Sequence, residues 1–298
     1  RWSLPAATRL EGTAAADRRP GRGDLPASGY NPSGRLLLIG GSERFDDSAE
    51  ILAHLVAMAG GSKARIVVIA SASRYPDEVL PDYFERFTRL GAGHVFTCAL
   101  QDRRACEDRA VLDALGRATA VFFSGGDQFR LTANVAGTPF GDLMKDRFVE
   151  DGLVVSGTSA GATAMGSTMI ASGPSHGRVR LADVDAGPGL AYLPDTVIDS
   201  HFNERSRINR LLTVFAQNSQ VLGLGIDENT ALEVRPGEPF SVIGTGAVTV
   251  LDGRVSYTNI SEVSETEVLA LSGVTIHVVP RGFGFDIQRR KFLAPQTA

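Results

Sequence analysis

Val154-Val155-Ser156-Gly157-Thr158-Ser159-Ala160-Gly161-Ala162 runs from an apolar strand through Gly-x-Ser-x-Gly into a helix start built of small residues. The order matters, because a strand turning sharply into a helix presents the central serine at the apex, as a nucleophile elbow requires. A strained Ser159 is tolerable only if its neighbours carry no Cβ to clash with the turn, and Gly157 and Gly161 both meet that condition. Ser159 Oγ is then expected above the carboxyl edge of a sheet. The free N–H groups of the helix start, Ala160 first among them, point at the same place and can stabilise an oxyanion. The alternative is a glycine-rich helix start with a structural serine.

Outward from this stretch, short apolar runs alternate with amphipathic segments. Residues 35–39, 65–70, 95–97 and 120–123 read as strands, and 48–59, 76–90, 106–116, 129–135 and 140–150 as helices. Apolar runs without period-2 alternation, joined by helices, imply a mostly parallel sheet covered on both faces. Right-handed crossovers make this a doubly wound α/β layer. After a helix at 204–216 and an apolar run at 221–226, the strands alternate more (231–234, 240–243, 247–251, 254–257, 274–279). They predict an antiparallel C-terminal edge with a hairpin turn at Asp252-Gly253. Residues 1–33, rich in Ala, Arg, Gly and Pro, read as an N-terminal extension, and 34–298 as a single α/β domain.

Composition bounds the function classes. With 298 residues, 43% hydrophobic and 21% charged, the chain has the make-up of a soluble globular protein. Thirty Lys+Arg against 34 Asp+Glu leave a net charge of −4, which argues against a nucleic-acid partner. No apolar run approaches the roughly 20 residues that span a bilayer, so no membrane partner is expected. Cys98 and Cys106 have no Cys or His companions at ligand spacing, so neither a metal nor a disulfide framework is predicted. A cytoplasmic location is expected, with secretion left open by a chain that begins at Arg1.

A second turn has the same form as the elbow. Val121-Phe122-Phe123-Ser124-Gly125-Gly126-Asp127-Gln128 passes from apolar strand to paired glycines to helix and should end at the same sheet edge. The Gly126 amide is a candidate second oxyanion donor and Gln128 a candidate substrate contact, unless the turn is only structural. Of five histidines, His54 falls in a helix and His277 in a strand. His201, in Val197-Ile198-Asp199-Ser200-His201-Phe202, falls at the carboxyl end of an apolar strand, where a general base could reach the serine. A surface histidine in an Asx-type turn is the alternative.

Four segments taken together resemble the cyanophycinase family, serine peptidases related to the dipeptidase E group. They are Phe123 to Gln128, Gly157 to Ala162, Asp199 to Phe202 with Arg205, Arg207 and Arg210, and Gly223-Leu224-Gly225-Ile226-Asp227-Glu228-Asn229-Thr230-Ala231. The resemblance spans about residues 34–251. It implies a flavodoxin-like core, a homodimer, no cofactor, and hydrolysis of cyanophycin, a poly-aspartate bearing arginine on each β-carboxylate, to β-aspartyl-arginine. Ser159 would be the nucleophile and His201 its base, with the Gly126 and Ala160 amides as oxyanion hole. Gln128, Asp199, Ser200, Arg205, Arg207 and Arg210 would line the substrate cleft, the arginines meeting substrate carboxylates. Asp227 and Glu228 would face substrate guanidinium groups or serve as buried structural carboxylates.

Two departures stand out. Ser200 occupies the place of a family glutamine. The family also draws the carboxylate that orients the histidine from a segment 15–20 residues after the nucleophile, and here that segment reads Pro174-Ser175-His176-Gly177-Arg178, without an acid. Either another carboxylate reaches His201, or the enzyme works as a dyad, or it is impaired. The rival readings are accordingly an aspartyl dipeptidase and a catalytically weak binder of the polymer.

Overall fold

The computed structural model describes residues 32–45, 49–235 and 237–295. The reading of 1–33 as an extension therefore lies almost wholly outside the described residues. Five strands form the parallel heart of the first sheet: β1 (Arg35–Ile39), β2 (Arg65–Ile69), β3 (His94–Cys98), β4 (Ala120–Phe123) and β5 (Val154–Thr158), in the order β1-β5-β4-β2-β3. β1, β2, β4 and β5 are short, mostly apolar and buried on both faces, as parallel pairing demands, while β3 closes the edge with only Val95 buried. Helices α1 (Glu50–Met58) and α2 (Pro76–Arg89) lay Leu52, Leu55 and Phe87 on the Leu37, Ile39, Val68 and Phe122 face, making one continuous core. Each such fully buried side chain contributes roughly 1.5–3 kcal/mol. Helices α3 (Arg109–Arg117), α4 (Gln128–Val135) and α5 (Pro139–Glu150) follow the next crossovers; Asp108, Asp127 and Thr138 cap their free N–H groups.

Beyond β1 the same sheet continues antiparallel, through strands β10 (Thr230–Val234) and β11 (Phe240–Gly244), then Gly284–Asp286 and Lys291–Leu293. This is the expected α/β architecture, a mostly parallel sheet with an antiparallel C-terminal edge.

Four local expectations are corrected. Where the sequence predicts one sheet, the described residues hold a second of six strands: β6 (Gly166–Ser172), β7 (Asp185–Pro188), β8 (Leu193–Ser200), β9 (Leu222–Ile226) and β12 (Ala247–Asp252), with Thr275–Pro280 at its edge. The helix after Ser159, α6 (Ala160–Thr163), lasts one turn, and the chain then enters β6, whose Gly, Ser and Thr content hid it among loop signals. Asp252-Gly253 makes no hairpin. β12 pairs instead with Thr275–Pro280, while the Asp252 carboxylate accepts from Arg254 Nε (2.8 Å) and Arg290 Nη1 (2.5 Å). Finally, helix α7 begins at Ile208 rather than 204 and runs to Gln217, because residues 201–207 form a train of turns with His201 and Ser206 at positive φ.

No described helix is long and apolar enough to cross a membrane.

Candidate active site

The site lies where the carboxyl edges of the two sheets meet. The first sheet supplies Ser159, immediately after β5, and the second supplies His201 after β8 and Asp227-Glu228 after the parallel neighbour β9. Ser159 has φ 54° and ψ −111°, a conformation that costs on the order of 1–3 kcal/mol and persists only where surroundings enforce it. Enforcement is visible in the bonds. Ser159 N–H donates to Ile39 O (2.9 Å), and its carbonyl accepts from Ala162 and Thr163. A Cβ on Gly157 would collide with Gly161, and one on Gly161 with the Phe123 carbonyl, so the turn closes only with glycine at both.

Ser159 Oγ stands 2.9 Å from His201 Nε2, and His201 Nδ1 stands 2.6 Å from Glu228 Oε1. The imidazole thus bridges a hydroxyl and a carboxylate. With Glu228 accepting at Nδ1–H, Nε2 is left as the lone-pair nitrogen facing the serine. Burial lowers the His201 pKa from its ordinary 6.5, aided by Arg205 and Arg207, while Glu228 works against them. Reciprocally, the bond from His201 holds the Glu228 carboxyl below its usual range, despite partial burial. The Ser42 hydroxyl adds to this lowering, and the Glu228 amide donates to Glu204 Oε2 (3.2 Å). The acid missing from residues 174–178 is therefore matched by a carboxylate 27 residues beyond the histidine. Glu228 is thus not a buried structural carboxylate, since its Oε1 contacts His201 Nδ1 and its side chain is about a third exposed.

The other predicted site residues divide into two groups. Gly125 lies against the nucleophile, a Cβ there falling 3.4 Å from Ser159 Cβ, while Gly126 rests on the Ala72 backbone. Ala160 is the residue after Ser159 and opens α6. Arg205 is exposed beside His201 and Glu228. By contrast, Gln128 spends its amide N–H groups on the carbonyls of Ile170 (2.7 Å) and Ala171 (3.0 Å), tying α4 to β6.

Asp199, Arg207 and Arg210 make a buried ion cluster rather than a cleft lining. Asp199 is fully buried and accepts from Arg207 Nη1 (3.2 Å) and Arg210 Nε (2.6 Å), with a second, shorter bond from Arg210 Nη2. Arg207 also donates to Ser200 O (2.6 Å), and burial pushes its pKa down to about 10. Two guanidinium groups facing one carboxylate leave one positive charge in excess. Ser200 is buried with its hydroxyl toward Thr163, and Asp227 holds Asn203 and the Ala247 amide. Among the described residues no three His, Cys, Asp or Glu side chains are grouped to hold a metal ion.

Sequence reasoning also missed the loop after β1. Gly40 O accepts from His201 N (2.8 Å) and Gly41 O from Asn229 N (2.8 Å), so this loop joins the two sheets beneath the site. A Cβ on Gly41, whose φ is +102°, would overlap the His201 ring. The signal was available: Leu38-Ile39-Gly40-Gly41-Ser42 repeats the form of an apolar strand followed by paired glycines that drew attention to Gly125-Gly126.

Comparison with known proteins identifies the family. Residues 36–242 match the model of peptidase family S51. The cyanophycinase of Geminocystis herdmanii (strain PCC 6308) is 38% identical over 263 residues, covering 88% of this chain and 96% of that protein. The cyanophycinase of Trichormus variabilis (strain ATCC 29413 / PCC 7937) is 35% identical over 259 residues, covering 87% of each chain. Among solved structures, a peptidase from an acI-B1 Actinobacterium superposes with a TM-score of 0.65 at 19% identity, over 86% of this chain and 98% of the other, a likeness of fold. A strained serine in an elbow, within reach of histidine, in a chain matched over most of its length, has one consistent description: this protein belongs to peptidase family S51, among the cyanophycinases.

Proposed function

We propose that this peptidase hydrolyses cyanophycin to β-aspartyl-arginine through an acyl-enzyme on Ser159. The observation that carries the reading is the continuous contact Ser159 Oγ, His201 Nε2, His201 Nδ1, Glu228 Oε1. Ser159 Oγ attacks an aspartyl carbonyl carbon as its proton passes to Nε2. The negative oxygen so formed is met by the amides of Ala160 and Gly126. The carbon–nitrogen bond then breaks, and His201 returns the proton to the leaving amine. Water attacks the ester next, losing its proton to His201, and frees Ser159. Glu228 holds the imidazole in the tautomer that keeps Nε2 available and offsets the positive charge it gains.

The excess positive charge of Asp199, Arg207 and Arg210, with exposed Arg205 beside it, favours an anionic ligand next to the elbow. A substrate carboxylate meets that requirement. Glu228 disfavours the weak-binder alternative, because it occupies the position that the altered 174–178 segment leaves without an acid.

The test is to incubate the protein and its Ser159→Ala variant with insoluble cyanophycin, following clearing and the soluble products by mass spectrometry. Release of β-aspartyl-arginine by the unaltered chain alone is the expected result. Cleavage of short aspartyl peptides without clearing would move the assignment to a dipeptidase. Equal clearing by both proteins would remove Ser159 from the mechanism.

A further inference from the structure

Glu43 is a carboxylate that the mechanism above does not use, and it is only 3% exposed. Its oxygens have separate partners. Oε1 accepts from the Tyr83 hydroxyl (2.7 Å) and Oε2 from Thr158 Oγ1 (2.6 Å). No cation within ion-pair distance accompanies these bonds among the described residues. Burying an ionised carboxylate costs several kcal/mol unless its lone pairs are well satisfied, and a hydrophobic side chain of similar volume would ordinarily be cheaper here.

The two partners explain what is gained. Thr158 ends β5 and precedes Ser159, so its side chain is tied down one residue before the strained φ of the nucleophile. Tyr83 is fixed in the core, its ring 4.7 Å from that of Phe122 and 6.1 Å from that of Phe87. Burial first, and the Glu43 carboxylate second, push the Tyr83 phenol well above its ordinary range, so it stays protonated and donates. A rigid chain of contacts therefore runs from the aromatic core through Tyr83 and Glu43 to Thr158. The same short loop holds the other two members of the site: Gly40 O takes the His201 amide, and Gly41 O takes the amide of Asn229, the residue after Glu228.

Resting on the proposed role of Ser159, we infer that Glu43 is a positioning residue for the nucleophile, acting through Thr158, and that the loop 40–43 sets serine, histidine and carboxylate in mutual register. A merely structural Glu43 would affect how much protein is folded. A positioning Glu43 affects the rate of each folded molecule.

The experiment compares the full chain with Thr158→Val, Thr158→Ser and Glu43→Gln, measuring thermal midpoint, kcat and KM. The second-order rate at which a fluorophosphonate labels Ser159 is measured alongside. Thr158→Val removes the hydroxyl at nearly constant volume, so it keeps the test alive if Glu43→Gln folds poorly. Both should label and turn over about 10- to 100-fold more slowly per folded molecule, as sub-ångström to 1 Å misplacement of a reacting group implies. KM should move by no more than about twofold, since binding groups are untouched. Thr158→Ser, which keeps the hydroxyl, should restore most of the rate. Unchanged labelling and turnover per folded molecule in Thr158→Val would overturn the inference while leaving the role of Ser159 intact. A native chain that does not label at all would overturn both.

Discussion

His201 Nδ1 and Glu228 Oε1 lie 2.6 Å apart although 27 residues separate them, because β8 and β9 run parallel and release both side chains at the same edge. The pairing predicts the behaviour of Glu228→Gln. The amide keeps the shape but can hold the imidazole with the wrong nitrogen protonated. In a well-studied serine triad the equivalent change lowers kcat by about 10⁴-fold. Loss of comparable size is expected here, in a protein whose thermal midpoint barely changes because Glu228 is partly exposed. Turnover within tenfold of the native chain would mean that serine and histidine suffice.

The pH profile gives a second, signed test. His201 must be neutral to accept the serine proton, so kcat/KM rises as pH climbs through its pKa. Burial depresses that pKa, and the acid limb should therefore have its midpoint below 6.5. Arg205 contributes to the depression and Glu228 opposes it. Arg205→Gln should move the limb to higher pH, and Glu228→Gln should move its residual activity to lower pH. Shifts in the same direction in both variants would refute the assignment of the limb to His201.

Much of this site is legible in the sequence because its parts are local. The elbow at 157–161, the glycine pair at 125–126 and the strand-terminal His201 each declare themselves within a few residues. Glu228 does not, since its role depends on which strand lies beside β8, and nothing within 197–202 or 222–228 says that these runs leave the first sheet for a second. The misread arginines have the same cause. Positions 205, 207 and 210 look like a ligand-facing cluster until Asp199 is found fully buried between two of them. Residues 166–172 were missed because a strand of Gly, Ser, Thr and Met carries a turn-like composition and only weak alternation.

Gly41 offers a test of close approach. Its carbonyl takes the Asn229 amide and its Cα faces the His201 ring, where a methyl group cannot fit. Gly41→Ala must displace either the loop or the imidazole, and positive φ adds strain besides. A displacement near 1 Å lowers kcat on the order of 100-fold. Labelling of Ser159 by fluorophosphonate should fall in proportion, while circular dichroism stays native. Full activity in Gly41→Ala would show that the imidazole has room to move without loss.

Asp199 tests whether the arginine cluster is structural. Among the described residues its carboxylate is the one that pairs with the guanidinium groups of Arg207 and Arg210, all three being largely removed from solvent. Asp199→Asn keeps the shape but leaves two buried cations with no counter-charge, and breaking a buried pair in this way costs about 3–5 kcal/mol. Adding Arg210→Met should recover part of that loss, because one of the two stranded charges goes with it. Urea unfolding of the two single variants and the double variant measures the coupling, which should be well above the roughly 0.5 kcal/mol of independent sites. The double variant keeps the single excess positive charge, so once folded it should still bind the polymer, and loss of binding would mean that the placement of Arg210 and Asp199, and not the net charge, serves the substrate. Strict additivity of the two changes would instead mean that Arg207, and not Arg210, neutralises Asp199.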